Sequence, residues 1–287
     1  MTTTSTVPAD PTVNPHPFKY IHLEENLCNK RSDLFVLTVV HSAPKNYQQR
    51  MIIRETWGNA KHYPLFKMVV VFFLGASTND TISRSIQLES SVFHDIIQED
   101  FIDSYKNLTY KSISWLKWTV TFCSNSYYIL KTDDDIFVNS FNLVNHLKSL
   151  HSHNVARRRT ILCLVWHAMK VMRDPKSKWY VPKEDYPNDE FSMYCSGSAY
   201  ILTSDLIYHM YEASFRTKFF WVDDFYTTGL LPRDLNVTYH NIQSLYVLKD
   251  EELQSKLVED YAIFGHVPGS KRTRYDLWKS ICSSHRM

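Results

Sequence analysis

The first half of the chain alternates between two hydrophobic rhythms. FVLTVVH at 35–41 is a continuous β-branched apolar run, the mark of a strand buried on both faces. NYQQRMIIRETW at 46–57 instead spaces its apolar residues along one face of a helix. MVVVFFLG at 68–75 predicts a second strand, SRSIQLESSVF a second helix, DIIQEDF a short strand and NLTYKSISWLKWTVTF at 107–122 a long helix. SYYILKTDDD at 126–135 predicts a further central strand that runs directly into acid. Strands alternating with helices predict an α/β fold with a mostly parallel sheet flanked by helices, in which ligands sit beyond the carboxyl ends of the strands. The acidic cluster falls at such an end.

Beyond about residue 150 the rhythm loosens into a basic stretch, ARRRT, and a turn-rich segment, RDPKSKWYVPKEDYPNDEFSMYCSG. No internal repeat or low-complexity block is present. The polar, proline-rich N-terminus predicts a flexible tail over 1–30, followed by a single domain over 31–287. The longest apolar run, MVVVFFL at 68–74, is too short to span a bilayer. No signal peptide or anchor is visible, so the sequence reads as a soluble form or as one lacking an upstream anchor.

Composition narrows the function classes. With 287 residues, 44% hydrophobic and 22% charged, the chain can bury a sizeable core. Its 32 basic and 30 acidic residues give a net charge of +2, which argues against a nucleic-acid or strongly anionic membrane partner. Five cysteines without a CxxC pair argue against a zinc knuckle or a thioredoxin-like motif, and the odd count leaves at least one outside any intramolecular disulfide. Sequons at Asn79, Asn107 and Asn236, taken with the cysteines, lean toward a lumenal compartment.

Three consecutive carboxylates, Asp133, Asp134 and Asp135, repel one another unless a cation neutralises them. Side chains alternate in an extended segment, so Asp133 and Asp135 can face one site while Asp134 faces another. Oxygen-rich ligation suits magnesium, manganese or calcium. Phe137 and Val138 break an EF-hand pattern, and no GxxxxGK is present. In WVDDFYTTG at 221–229, one of two carboxylates could serve as a general base in a dry pocket, or both could sit at a helix N-terminus. Arg50 and Arg54 stand one helical turn apart and could both reach an anionic ligand, or remain surface charges. His266, taken alone, reads as structural, and Trp115, Trp118 and Phe122 read as core rather than as a sugar-stacking platform.

Read in order, RMIIRETWG, FFLG, DIIQEDFIDSYKNLTYKS, YYILKTDDDIFVN, RDPKSKWYVPKEDYP, YCSGSAYILTSD and VDDFYTTG resemble the successive blocks of the β-1,3-galactosyltransferase and β-1,3-N-acetylglucosaminyltransferase family, over about residues 31–280. The resemblance implies a GT-A fold, a nucleotide-sugar-binding sheet merged with an acceptor-binding half. It also implies inverting transfer of galactose or an N-acetylhexosamine from a UDP-sugar, with manganese, to an oligosaccharide, glycolipid or glycoprotein acceptor. The family's DxD motif falls on Asp133–Asp135, suggesting Asp135 and Asp133 as metal ligands, with Asp133 and Asp134 beside the nucleotide. Its Glu-Asp motif falls on Asp223 and Asp224, nominating Asp224 as catalytic base, and AIFGHVPGS nominates His266 as a metal ligand. Arg50, Arg54, Asp103 and Lys111 lie in blocks that line or support the nucleotide pocket.

The sequence departs from the family pattern at Asp223, where glutamate is commoner, at Ser112, where threonine is usual, and at Ala199, where glycine is usual. A methyl group at Ala199 is expected to narrow the substrate site. A second tyrosine-proline before that block is also missing. Family members are membrane-anchored in the Golgi, so the resemblance implies a Golgi lumenal location and an anchor that this sequence does not display. The competing reading is a non-catalytic relative that binds glycans or chaperones an active transferase. A binder would not need both the aspartate cluster and Asp224.

Overall fold

A computed structural model describes residues 12–29, 34–62, 67–267 and 271–285. After a short strand, β1 (Tyr20–His22), the predicted strand-helix units follow: β2 (Val36–His41) with α1 (Tyr47–Glu55), β3 (Met68–Ala76) with α2 (Asp80–Phe93), and β4 (Ile96–Ile102) with α3 (Leu108–Phe122). Next come β5 (Tyr128–Asp133), β6 (Ile136–Val138), α4 (Ser140–Ser152), β7 (Thr160–Trp166), β8 (Tyr194–Thr203) and α5 (Asp205–Arg216). The chain closes through a helical turn, α6 (Asp223–Phe225), then β9 (Thr238–Asn241), β10 (Tyr246–Val247), β11 (Phe264–His266) and α7 (Lys271–Ser284).

Eight strands form one sheet in the order β1-β4-β3-β2-β5-β8-β7-β9. The neighbours β4, β3, β2 and β5 run parallel, while β8 is antiparallel to both β5 and β7. The continuous apolar runs are explained by two cores. From β2, Val36 and Val40 enter one cluster while Leu37 and Val39 enter the other; from β3, Phe72 and Leu74 oppose Val71 and Phe73 in the same way. Each central strand is therefore covered on both faces, which a half-polar alternation could not achieve. Trp115 and Trp118 are fully buried in the second core.

Two features of this topology place the site. Parallel pairing of β2 with β5 sets His41 opposite Asp133, so the carboxyl ends of both strands open on the same edge. A small second sheet, β10-β11-β6, then sets His266 opposite Ile136, next to the acidic cluster.

The expected flexible tail does not hold for residues 12–29. Tyr20 pairs with Glu99 at the edge of the sheet, the amides of Val13 and Asn14 donate to the Phe215 carbonyl, and Cys28 is bonded to Cys123. A second disulfide joins Cys163 on β7 to Cys195 on β8, and Cys282 is in neither. Residues 1–11 and 30 lie outside the described residues. Among the described residues, no helix is long and apolar enough to cross a membrane.

Candidate active site

A cleft of about 390 Å³ opens at the carboxyl ends of β2 and β5. Asp133, Asp135, Asp223, Asp224, Lys131 and His266 all line it. Asp133 ends β5 and Asp135 follows it by two positions, so both point into the cleft, as alternation in an extended segment requires. Asp134 points the other way. Its Oδ2 accepts hydrogen bonds from Ser42 Oγ at 2.6 Å and Asn46 Nδ2 at 2.9 Å, which fastens the β2–α1 loop to the end of β5.

The Lys131 ammonium is buried at the floor of the cleft, 2.7 Å from both Asp133 Oδ1 and the Gly197 carbonyl. Burial alone would lower its pKa, but Asp133, Asp223 and Asp224 around it raise it, so it stays cationic. Burial raises the Asp133 carboxyl while Lys131 opposes the rise. The side chain is 40% exposed, so solvent limits the shift further.

Asp223 and Asp224 occupy the first turn of α6, where backbone N–H groups favour negative charge. Asp223 is buried, accepts from the Thr227 hydroxyl at 3.3 Å, and lies 3.9 Å from His41 Nδ1. Burial pushes its carboxyl up to about 6, partly offset by Lys131. Burial also raises Asp224, which accepts from its neighbouring Phe225 amide at 2.9 Å. Gly197 makes room for this carboxylate: a Cβ there would stand 3.2 Å from Asp224 Cβ and 3.4 Å from its Oδ2. His41 is fully buried, and burial followed by the nearby Lys131 and Lys111 charges holds its pKa well below the usual value, so the ring is neutral.

Asp135 Oδ2 and His266 Nε2 face each other across 3.8 Å, and each side chain is about half exposed. A carboxylate and an imidazole converging without a hydrogen bond between them form a mixed oxygen-nitrogen pair that suits manganese or a similar divalent ion. Among the described residues no group of three or more such side chains gathers, so a cation here would complete its shell with substrate oxygens and water.

Several expected nucleotide contacts are engaged elsewhere. Arg50 is fully buried and forms a two-point pair with Glu89, Nε to Oε1 at 2.7 Å and Nη2 to Oε2 at 2.6 Å, while its Nη1 holds the Ala43 carbonyl at 2.8 Å. Arg54 pairs with Glu89 at 2.7 Å and Asp95 at 2.8 Å. Lys111 bridges Asp103 at 2.9 Å and the Ser42 carbonyl at 2.7 Å, and Asp103 also accepts from the Gly75 amide at 2.7 Å. Arg50, Arg54, Asp103, Lys111 and Asp134 thus brace the loops behind the cleft instead of lining it. The expected narrowing at Ala199 is also absent. Ala199 is buried in the first core, and it is Gly197 and Ser198 of β8 that border the cleft.

Sequence reasoning misses Lys131, His41 and Gly197. A lysine inside an apolar strand one residue short of an acidic cluster was a readable signal for the first. The other two carry no local mark.

A second lobe of about 320 Å³ meets the first at Tyr105, Val222 and Asp224. It is lined by Met169, Met172, Trp179, Phe191 and Tyr194 and has an aromatic and apolar character. Asp224 therefore borders both a charged lobe and an aromatic one. A larger cleft of about 440 Å³, lined by Arg216, Lys218 and Arg233 among others, shares none of these carboxylates.

The galactosyltransferase family model matches residues 48–243. β-1,3-Galactosyltransferase 1 of Mus musculus and of Homo sapiens are each 38% identical over 225 residues, spanning 78% of this chain and 68% of theirs. β-1,3-Galactosyltransferase 2 of Mus musculus is 33% identical over 215 residues, spanning 74% of this chain and 50% of its own. Among solved structures, a galactosyltransferase bound to donor and acceptor sugar analogues aligns at a TM-score of 0.41 with 9% identity, over 85% of this chain and 95% of that one. That likeness is too slight to carry weight.

Proposed function

The chain belongs to the galactosyltransferase family and is a hexosyltransferase with an α/β fold, and from that premise we propose that the fold is of GT-A type and that the chain transfers galactose or an N-acetylhexosamine from a UDP-sugar to a glycan acceptor, forming a β-1,3 linkage with inversion. The observation that carries this reading is the position of Asp224, a carboxylate with a raised pKa at the junction of the charged and aromatic lobes.

In this mechanism the acceptor occupies the aromatic lobe and the donor the charged one. Asp224 takes the proton from the acceptor hydroxyl as its oxygen attacks the anomeric carbon, and the bond to the UDP oxygen breaks on the opposite face. One displacement inverts the centre, and no sugar-enzyme bond forms. Asp135 and His266, with Asp133 beside them, would hold the divalent cation that the family relationship implies. That cation, when bound, offsets negative charge on the departing diphosphate. Lys131 fixes Asp133 at the floor, and Gly197 leaves Asp224 free of a steric neighbour. The two disulfides and the family relationship support a lumenal, Golgi setting.

The test is UDP release by the full chain with a panel of UDP-sugars and simple glycosides, with manganese, with chelator, and with Asp224→Asn. Acceptor-dependent release that disappears with chelator and with Asp224→Asn supports the proposal, and the preferred donor names the sugar. Folded protein that binds UDP but transfers nothing across the panel points to the non-catalytic binder or chaperone instead.

A further inference from the structure

Of the tryptophans in the described residues, Trp57, Trp115, Trp118, Trp221 and Trp278 are buried and Trp166 is half-buried, whereas Trp179 is 52% exposed. It stands on the lip of the aromatic lobe beside Tyr105, Met169 and Met172, which are 48%, 39% and 40% exposed. Exposed large apolar side chains gathered around a cleft mark a binding surface more often than solitary ones do.

This patch is built. The Trp179 indole N–H donates to the Tyr105 hydroxyl at 2.9 Å, and the Lys178 ammonium sits 4.5 Å from the indole centroid. The segment that carries the ring is tied to itself: Arg173 donates to the carbonyls of Val181 at 2.6 Å, Tyr186 at 2.8 Å and Asn188 at 2.5 Å, and the amide of Val181 bonds back to Met172. The ring is thus held at a fixed edge while half of the residue stays open, so little rotamer freedom remains to be lost on binding.

We propose that Trp179, steadied by Tyr105, is a stacking platform for the acceptor sugar that follows the one whose hydroxyl reaches Asp224, which makes this enzyme selective for oligosaccharide over monosaccharide acceptors. The inference rests on the transferase reading above and specifies its acceptor. Continuity of the lobe with Asp224 identifies the occupant. A pyranose offers an apolar face for the indole and a rim of hydroxyls, matched here by Lys170, the Tyr105 hydroxyl and Asp224 around the same lobe. A sugar face on an indole covers an area similar to a base stacked on an aromatic ring, and its loss is expected to change affinity roughly tenfold or more.

The experiment compares wild type, Trp179→Ala, Trp179→Phe and Tyr105→Phe, all as the full chain. Its probes are methyl monosaccharides and the matching β-linked di- and trisaccharides of galactose, N-acetylglucosamine and N-acetylgalactosamine. Two readouts run in parallel, acceptor KM with kcat in the UDP-release assay and direct glycan binding by saturation-transfer NMR. Trp179→Ala is expected to raise KM for the longer acceptors about tenfold or more beyond any change in monosaccharide KM, and Trp179→Phe is expected to retain most of the affinity. Equal losses on mono- and oligosaccharides, or unchanged KM and NMR binding in Trp179→Ala, would overturn the platform while leaving the transferase reading intact. A wild type that transfers nothing but binds oligosaccharides in a Trp179-dependent way would keep the platform and remove the transferase reading. Absence of glycan binding by wild type would overturn the platform.

Discussion

Asp224 and Asp223 are adjacent in sequence yet face different surroundings. Asp224 is reached from both lobes of the cleft, and its pKa is raised by burial. A base acts only when ionised, so kcat/KM is predicted to be lost as pH falls through that raised value, above the ordinary aspartate range near ~4. Asp224→Asn is predicted to lower kcat by about 100-fold or more while leaving UDP binding unchanged in calorimetry. Gly197→Ala crowds the same carboxylate from β8, and a drop in kcat of roughly tenfold with an unchanged melting temperature is expected, because small displacements of a reacting group are costly.

Asp223 makes the opposite kind of contribution. Its carboxyl has a pKa of about 6 when folded against 3.8 for the unperturbed group, so between those values the folded chain holds a proton that the unfolded chain releases. Stability from this group is therefore present at low pH and declines as pH rises through about 6. Asp223→Asn is predicted to raise the melting temperature at pH 7 in chelator, with the gain shrinking toward pH 4. A variant less stable than wild type at neutral pH contradicts this.

At the scale of elements, a few ion pairs hold the loops that frame the cleft. Arg50 joins α1 to Glu89 on α2 and grips the Ala43 carbonyl, and Asp134 ties Ser42 and Asn46 to the end of β5. Glu89→Gln leaves a buried guanidinium short of its charge partner. Urea unfolding is expected to show a loss of about 3 kcal/mol, with the donor KM rising as the β2–α1 loop loosens. The sequence made these elements legible and their partnerships obscure. FVLTVVH and MVVVFFLG have no polar phase, so both their strand character and their double-sided burial could be read directly. The arginines of RMIIRETWG look like ligand-seeking charges because Glu89 and Asp95, which capture them, lie over thirty positions away. β1 is hidden in the sequence for a different reason: a three-residue edge strand inside a polar, proline-rich stretch has too few positions to show a period.

At the scale of the whole molecule, the long-range links decide what gathers at the cleft. His266 reaches Asp135 because β11 pairs with β6, and nothing in AIFGHVPGS foretells that pairing without the family resemblance. Cys28–Cys123 fastens the N-terminal segment to the end of α3 across a separation of 95 residues. A Cys28→Ser/Cys123→Ser pair is predicted to cost about 2–5 kcal/mol in denaturant titration, with little effect on kcat because neither residue touches the cleft. The aromatic lobe is assembled from the 169–194 segment together with Tyr105 and α6, so its existence depended on the fold and not on any motif.

A single displacement directed by Asp224 is read most directly from the anomeric configuration of the product formed from an α-linked UDP-sugar, by NMR on purified glycan. A β linkage at the acceptor 3-hydroxyl, absent from reactions with Asp224→Asn, is expected. An α-linked product would show retention and contradict it.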